Sequence, residues 1–486
     1  MAGQRRSPPQ PLARQALFES LPPPGPDDLL AQIRDRLALH GRKIVVLDDD
    51  PTGTQTVHDV PVLTEWSEAT LAAELQGDVS CFYVLTNSRS LPLLAAAALN
   101  REIGQNLSGA ARRSGRDFVV VSRSDSTLRG HFPGEVDALA QTLHGPFDAW
   151  LLIPFFEEGG RFTSGDIHYV AEGEWLVPAG ETAYARDEAF GYRASNLREW
   201  VAEKSAGRWP ASAVVSLSLA EIRQGPAAVT GRLLSIPPGG IGVVNAVTYH
   251  DLELFVLGLL EAEAQGRRYL YRTAASFVRV RAGLAPRALL RPDDLSLPEA
   301  GAGLFVVGSY VPQTTRQVAA LCATGDVRRV NVDVSRLLNP NEREMEIRRA
   351  AAAADEGLRA GQDTALVTTR ELVRGGNAEQ ALHTGRLISE SLIAILHKIQ
   401  SRPRYLVAKG GITASDIATA GLEVRRAWVL GQLLPGIPVW RLGPESRYPD
   451  LTYIVFPGNV GDDQALLTIA TTLRNEAEVV HAGFHD

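Results

Sequence analysis

The chain has 486 residues, 45% hydrophobic and 22% charged, which allows two or three globular cores and excludes disorder along its whole length. A net charge of −7 excludes a globally basic nucleic-acid binder, although a local basic cleft remains compatible with it. Two cysteines, Cys81 and Cys322, exclude a disulfide scaffold and a cysteine-based metal cluster. Only four of the 49 basic residues are lysines: Lys43, Lys204, Lys398 and Lys409. Lysine is a compact point charge that arginine does not mimic, so Lys409, set before Gly410 and Gly411, stands out.

The N-terminus is rich in Arg and Pro and has no continuous apolar h-region, so it does not read as a signal peptide. No stretch approaches eighteen uninterrupted apolar residues, and a cytoplasmic protein is expected. Residues 1–40 read as an arm and a helix, the helix stopping near Gly41. KIVVLDDD is then a short buried strand ending in three acids. A helix over 93–113, the strand FVVVSRSDS, a helix from near Pro133 and the strand WLLIPFF continue a βαβ pattern. In such folds the functional loops follow the C-terminal ends of parallel strands.

Residues 157–235 read as long loops and peripheral helices over the sheet. The Pro-, Gly- and charge-rich stretch 285–300 is the leading domain boundary. Beyond it, GLFVVGS, TALVTT, RYLVAKGG, IPVWRLG and LTYIVFPG alternate with helical segments. The fold class is therefore α/β: two α/β domains with mainly parallel sheets, over 41–290 and 300–486.

Three polar loops follow strands of the first domain. Asp48, Asp49 and Asp50 are adjacent carboxylates that need a metal, arginines or solvent to offset their repulsion. Pro51 fixes the turn after them and Gly53 lets a ligand approach closely. In SRSDSTLRGH, Arg123 and Arg129 can bind a carboxylate or phosphate, and Asp125 can orient a hydroxyl or an arginine. After WLLIPFF, Arg161 is a further anion contact, while His168 reads as structural.

The second domain has three glycine loops after strands. Gly308 and Ser309 follow LFVV; Lys409, Gly410, Gly411 and Thr413 follow YLVA; Gly458, Asn459 and Gly461 follow YIVFP. Glycines expose backbone N–H groups to phosphate oxygens, and Thr413 adds a hydroxyl. No GxxxxGK[ST] is present and no strand runs into GxGxxG, which disfavours a P-loop NTPase and a dinucleotide dehydrogenase. The spacing Asp48-x-Asp50-x-Thr52 resembles the opening motif of haloacid-dehalogenase-like phosphatases, with Asp48 as nucleophile and Asp50 as acid/base. A phosphatase or other phosphoryl-transfer enzyme is therefore one alternative, and a noncatalytic metabolite-binding protein another.

Taken together and in order, DDDPTGTQT at 48–56, SRSDSTLRG at 122–130, PFFEEGGRFTSGDIHYV at 154–170, VVGS at 306–309, KGGITASD at 409–416 and FPGNVGDD at 456–463 resemble the four-carbon acid sugar kinase family. Its members include 3-oxo-tetronate, threonate and erythronate kinases. The resemblance implies an acid-sugar-binding N-terminal domain, a nucleotide-binding C-terminal domain and an active site in the interdomain cleft. It implies ATP and Mg2+ as cofactors and transfer of the γ-phosphoryl group to a hydroxyl of a small acid sugar. Carried onto this chain, Asp49, Asp50, Arg123, Asp125 and Arg161 form the substrate site. Ser309, Lys409, Gly410, Gly411, Thr413, Gly458, Asn459 and Gly461 form the nucleotide site. The catalytic base falls on Asp50 or Asp49, with Asp125 as the other possibility, and no metal ligands are assigned. The expected partners are the acid sugar and ATP, with no nucleic acid or membrane, and a homodimer is compatible with the size.

Overall fold

A computed structural model describes residues 10–21, 29–143, 145–369, 378–458 and 460–474. The chain divides into two compact units. One holds the described residues up to Asp49 together with Trp66–Pro286; the other holds Asp50–Glu65 and the described residues from Arg287 onward. Among the described residues, no helix is long and apolar enough to cross a membrane.

The first unit is built on parallel strands in the order Val215–Leu217, Gly240–Val244, Ala149–Ile153, Tyr269–Thr273, Phe118–Arg123, Lys43–Asp48 and Cys81–Leu85. Runs such as IVVL, VVV and LLI are buried along their length, as a parallel sheet covered on both faces requires. The helices start and stop where local chemistry dictates. Leu29–His40 is followed by Gly41 at φ +61°, and Leu93–Ser114 ends on Gly115 at φ +66°. Tyr249–Ala264 starts on a capping box between Thr248 and Asp251.

The middle segment departs from the expectation of loops and helices alone. Arg161–Ser164, Ile167–Glu172 and Trp175–Pro178 form an antiparallel sheet, joined at its edge by Leu12–Ala13. Gly165 at φ +58° and Asp166 at φ +65° make the tight turn between the first two strands, a geometry suited to a two-residue hairpin.

In the second unit the strand order is Val60–Leu63, Arg426–Leu434, Ile437–Leu442, Thr452–Phe456, Tyr405–Lys409, Leu304–Val307, Thr364–Thr368 and Arg328–Val332. The first three pairings are antiparallel and the rest parallel, so this sheet is mixed. Phe305, Val307, Tyr405, Val407, Ile454 and Phe456 form the middle of its core. Both units are thus α/β with mostly parallel strands.

Candidate functional site

In the first unit the sheet registers Asp48 against Arg123 and Arg123 against Thr273, so three neighbouring strands end side by side. The acidic loop and the SRSDST loop both leave from these ends. Arg123 is buried and donates from Nη1 to Asp48 Oδ1 at 3.1 Å. Asp49 accepts from Ser124 Oγ at 2.7 Å through Oδ2, while its Oδ1 is buried with no hydrogen-bond partner among the described residues. A Cβ added at Gly130, where φ is +119°, would lie 2.7 Å from Ser124 Oγ, 3.3 Å from Asp49 Oδ2 and 3.8 Å from Arg272 Nη2. Three side chains therefore converge on one glycine.

Arg272, in the strand Tyr269–Thr273, donates through Nη2 to Arg129 O at 2.7 Å and lies over the Trp200 ring at 5.3 Å. Its buried Nη1 has no hydrogen-bond partner among the described residues. Burial lowers its pKa, opposed by the charges of Asp49, Asp125 and Glu135. Glu135, in the first turn of Gly134–Thr142, accepts from Ser88 Oγ and from Asn100 Nδ2. Burial first, and the charge of Asp49 second, push its pKa up. Sequence reasoning missed both residues. The available signals were an arginine inside the apolar strand YLYRT and an acid opening the helix after Pro133.

Asp125 is differently placed. Burial alone would raise its pKa, yet Arg129 and Arg89 overcome this and hold the carboxyl well below the usual range. Arg129 Nε donates to Asp125 Oδ2 at 2.8 Å, and Arg89 Nη1 pairs with Oδ1 at 3.3 Å. Such a carboxylate orients arginines well and accepts a proton poorly. Arg161 has no carboxylate partner among the described residues; its Nη2 donates to Tyr184 Oη at 3.4 Å and its buried Nε has no hydrogen-bond partner there. Tyr184 also lies under Arg129, at 5.1 Å from its guanidinium carbon. His168 is fully buried, with burial lowering its pKa to about 4. Its Nε2 donates to Ser126 O at 2.8 Å and its Nδ1 accepts from Thr163 Oγ1 at 2.9 Å. It pins the SRSDST loop to the small sheet.

The second unit brings its three glycine loops together, because the strands Leu304–Val307, Tyr405–Lys409 and Thr452–Phe456 are parallel neighbours. Ser309 N donates to Lys409 O at 3.3 Å, and Gly410 N to Phe456 O at 2.8 Å. Gly410 has φ +118°, and a Cβ there would lie 3.1 Å from Ser309 Cβ and 3.3 Å from Thr413 Oγ1. A Cβ at Gly458 would lie 3.1 Å from Ser309 Oγ. Thr314 Oγ1 donates to Gly458 O at 3.0 Å and fixes that loop. Ser309, Gly410, Thr413 and Gly458 therefore share one small space, a cradle of backbone and hydroxyl groups that side chains would fill.

Asp50 belongs to this unit and reaches the same loop. It caps the short helix Pro51–Thr54, with Oδ1 accepting from Thr52 N at 2.9 Å and Thr52 Oγ1 at 2.6 Å. A Cβ at Gly411 would lie 2.8 Å from Asp50 Oδ2. Trp440 Nε1 donates to Thr54 Oγ1 at 3.0 Å and Gln55 Nε2 to Gly436 O at 3.0 Å, holding the turn in place.

Lys409 does not present its charge to this space. Its side chain is fully buried, Nζ donates to Pro457 O at 2.6 Å, and the Phe456 ring centroid is 3.6 Å away. Burial lowers its pKa to about 6. Gly461, at φ +79°, lies at the entry to the helix Ala465–Arg474, its carbonyl accepting from Gln313 Nε2 at 3.1 Å. Asn459 lies outside the described residues. Among the described residues no group of three or more His, Cys, Asp or Glu side chains could hold a metal ion. Asp48, the nucleophile of the phosphatase alternative, is 1% exposed and bonded to Arg123, a poor setting for in-line attack.

Comparison with known proteins follows the same division. Residues 44–281 match the family model described as a sugar-binding N-terminal domain, and residues 304–466 that of a nucleotide-binding C-terminal domain. No curated protein matches the chain. Among solved structures, a Salmonella typhimurium LT2 protein provisionally described as a tRNA synthase is 16% identical, with a TM-score of 0.63. The alignment covers 88% of this chain and 98% of that one. The Haemophilus influenzae protein HI1011, of the domain of unknown function DUF1537, is 17% identical with a TM-score of 0.59, covering 88% of this chain and 100% of its own. At these identities the likeness is one of fold.

Proposed function

Because the chain belongs to the two-domain family that joins a sugar-binding N-terminal domain to a nucleotide-binding C-terminal domain, we propose that it is an ATP-dependent kinase acting on a hydroxyl of a small acid sugar, of the four-carbon tetronate or 3-oxo-tetronate class. The position of Asp50 supports this reading most directly. Its carboxylate lies against Gly411, in the unit that matches the nucleotide-binding model, so an acid capable of accepting a proton borders the phosphate cradle.

In this reading Asp50 takes the proton of the acceptor hydroxyl. The acceptor oxygen then bonds to the γ-phosphorus as the bond from that phosphorus to the β–γ bridging oxygen breaks, leaving ADP. Thr52 holds the Asp50 carboxylate in orientation through two hydrogen bonds. Arg161 is the group best suited to hold the acid's carboxylate, since no carboxylate of the described residues occupies it. Arg123 and Asp125 serve behind it, the first paired with Asp48 and the second fixing Arg129 and Arg89. Asp49 keeps its buried Oδ1 without a hydrogen-bond partner among the described residues, an acceptor that suits a substrate hydroxyl, while its Oδ2 is held by Ser124. The backbone N–H groups around Gly410 and Gly458 and the hydroxyls of Ser309 and Thr413 would receive the phosphates. Mg2+ would neutralise phosphate charge, coordinated chiefly by phosphate oxygens and water, a mode that needs few protein ligands.

A panel of four-carbon sugar acids incubated with ATP and Mg2+ tests the proposal, with ADP and the mass of each acid followed together. Phosphorylated acid appearing only with ATP is the expected result. Folded protein that phosphorylates no acid in the panel would overturn it, and phosphate release from a sugar phosphate without ATP would favour the phosphatase reading instead.

A further inference from the structure

The N-terminal arm lies before the region matched by the sugar-binding model, which begins at residue 44. Its described part is tied to the small antiparallel sheet. Leu12 pairs with Leu176 and Ala13 with Trp175, and Arg14 N donates to Glu174 O at 2.9 Å. The helix Arg14–Glu19 then reaches from this edge to the strand Arg161–Ser164. There Phe18 meets Phe162 edge-on, with ring centroids 5.7 Å apart, and Leu17 is buried. The Arg14 guanidinium carbon lies 5.7 Å from the Phe18 centroid and 5.5 Å from that of Phe162.

Phe162 is fully buried and packs on its other side against Phe155, at 6.2 Å between centroids. Consecutive residues of a strand face opposite sides, so Phe162 anchors one face while Arg161 and Thr163 present the other. On that other face, Thr163 bonds to His168, which holds Ser126 O, and Arg161 meets Tyr184. The Phe18 ring therefore backs the strand whose front carries Arg161, the arginine with no carboxylate partner among the described residues. Close-packed interiors transmit such a contact, because removing a ring leaves a space into which the neighbouring strand can shift.

We propose that Phe18 is a positioning residue for Arg161, the arm fixing from behind where that guanidinium meets an anionic acceptor. The proposal rests on the reading of Arg161 as the acid-sugar contact. It gives the arm a part in acceptor recognition that the matched family region does not contain.

The test uses Phe18→Ala and Phe18→Leu in the full chain. Phe18→Ala should raise KM for the acid acceptor about ten-fold, a displacement effect, while KM for ATP and kcat stay near wild type. Phe18→Leu, which refills most of the space, should recover most of the loss. In an Arg161→Ala background, Phe18→Ala should add nothing further. Equal rises in both KM values, or a loss additive with Arg161→Ala, would overturn the proposal. Amide hydrogen exchange supplies a readout independent of turnover. Phe18→Ala should speed exchange over residues 161–164 and leave 304–307 unchanged. Unaltered exchange over 161–164 would overturn the positioning role even if acid-sugar phosphorylation is found. Faster exchange there with no phosphorylation of any acid would instead count against the kinase reading alone.

Discussion

Neighbouring acids on this chain have unlike surroundings, and that decides which of them can do chemistry. Asp125 is held ionised by Arg129 and Arg89, Asp48 is buried against Arg123, and Asp50 borders the glycine cradle. Asp50→Asn should therefore lower kcat by about 10²–10⁴-fold, the usual range for removing a general base, with little change in either KM. Steady-state kinetics check this, and near-normal turnover would move the base to Asp49. Lys409 calls for a different measurement. Its folded pKa of about 6 lies below its ordinary value of 10.5, so between those values the unfolded chain binds the extra proton. Stability of the wild type should then rise with pH across that window, and a Lys409→Met variant should lack the rise. Denaturation at pH 6, 8 and 10 should show the variant's relative advantage largest at pH 6 and smallest at pH 10. A gap independent of pH would mean that the lysine stays charged in the folded state.

At the scale of elements, the cradle depends on backbone that only glycine adopts without strain. Gly410→Ala places a Cβ at φ +118° against Ser309 and Thr413, and should raise KM for ATP about ten-fold. Gly411→Ala crowds Asp50 Oδ2 and should mainly lower kcat, by about 10²-fold. If both variants changed only the acceptor KM, the loop would not be the nucleotide site. Much of this was legible beforehand. Glycines after the runs LFVV, YLVA and YIVFP announced strand-end loops, and the parallel pairing of those strands brings the loops together. Arg272 and Glu135 were not legible, since an arginine in YLYRT and an acid in a first helical turn look like ordinary fold chemistry until burial and neighbours are known. The hairpin at 161–172 was readable from Ser164-Gly165-Asp166, which demands positive φ twice, but the surrounding Gly and Arg masked it as loop. The inward turn of Lys409 could not be read either, because it depends on Phe456 and Pro457, almost fifty residues away in sequence.

At the scale of the whole molecule, the two units should respond to different ligands. Nucleotide binding to the folded state alone should stabilise the second unit by about 2.7 kcal/mol at 100 times its Kd. Thermal unfolding with ATP, with acid sugar and with both measures this. ATP alone should raise Tm and protect amides of residues 304–309 and 405–416 from exchange, and an ATP effect confined to residues 44–49 and 118–131 would reverse the assignment. Local patterning identifies both units as α/β. It does not reveal that the chain leaves the first unit at Asp49, contributes 50–65 to the second and returns, because that excursion is visible only through the pairing of Val60–Leu63 with Arg426–Leu434.

That excursion bears on how the protein can be dissected. A gene cut in the Pro- and Gly-rich stretch near residue 287 would express two halves, neither of them a complete folding unit. The first half would carry Val60, Val62 and Leu63, all buried in the intact chain, without Arg426–Leu434, the antiparallel strand that pairs with them in the second unit. The second half would present Arg426–Leu434 as an open edge, a template for self-association. It would also lack Asp50 and so retain the cradle without its acid. Separate expression should therefore yield aggregation-prone fragments, whereas co-expression allows the missing strand to be supplied in trans.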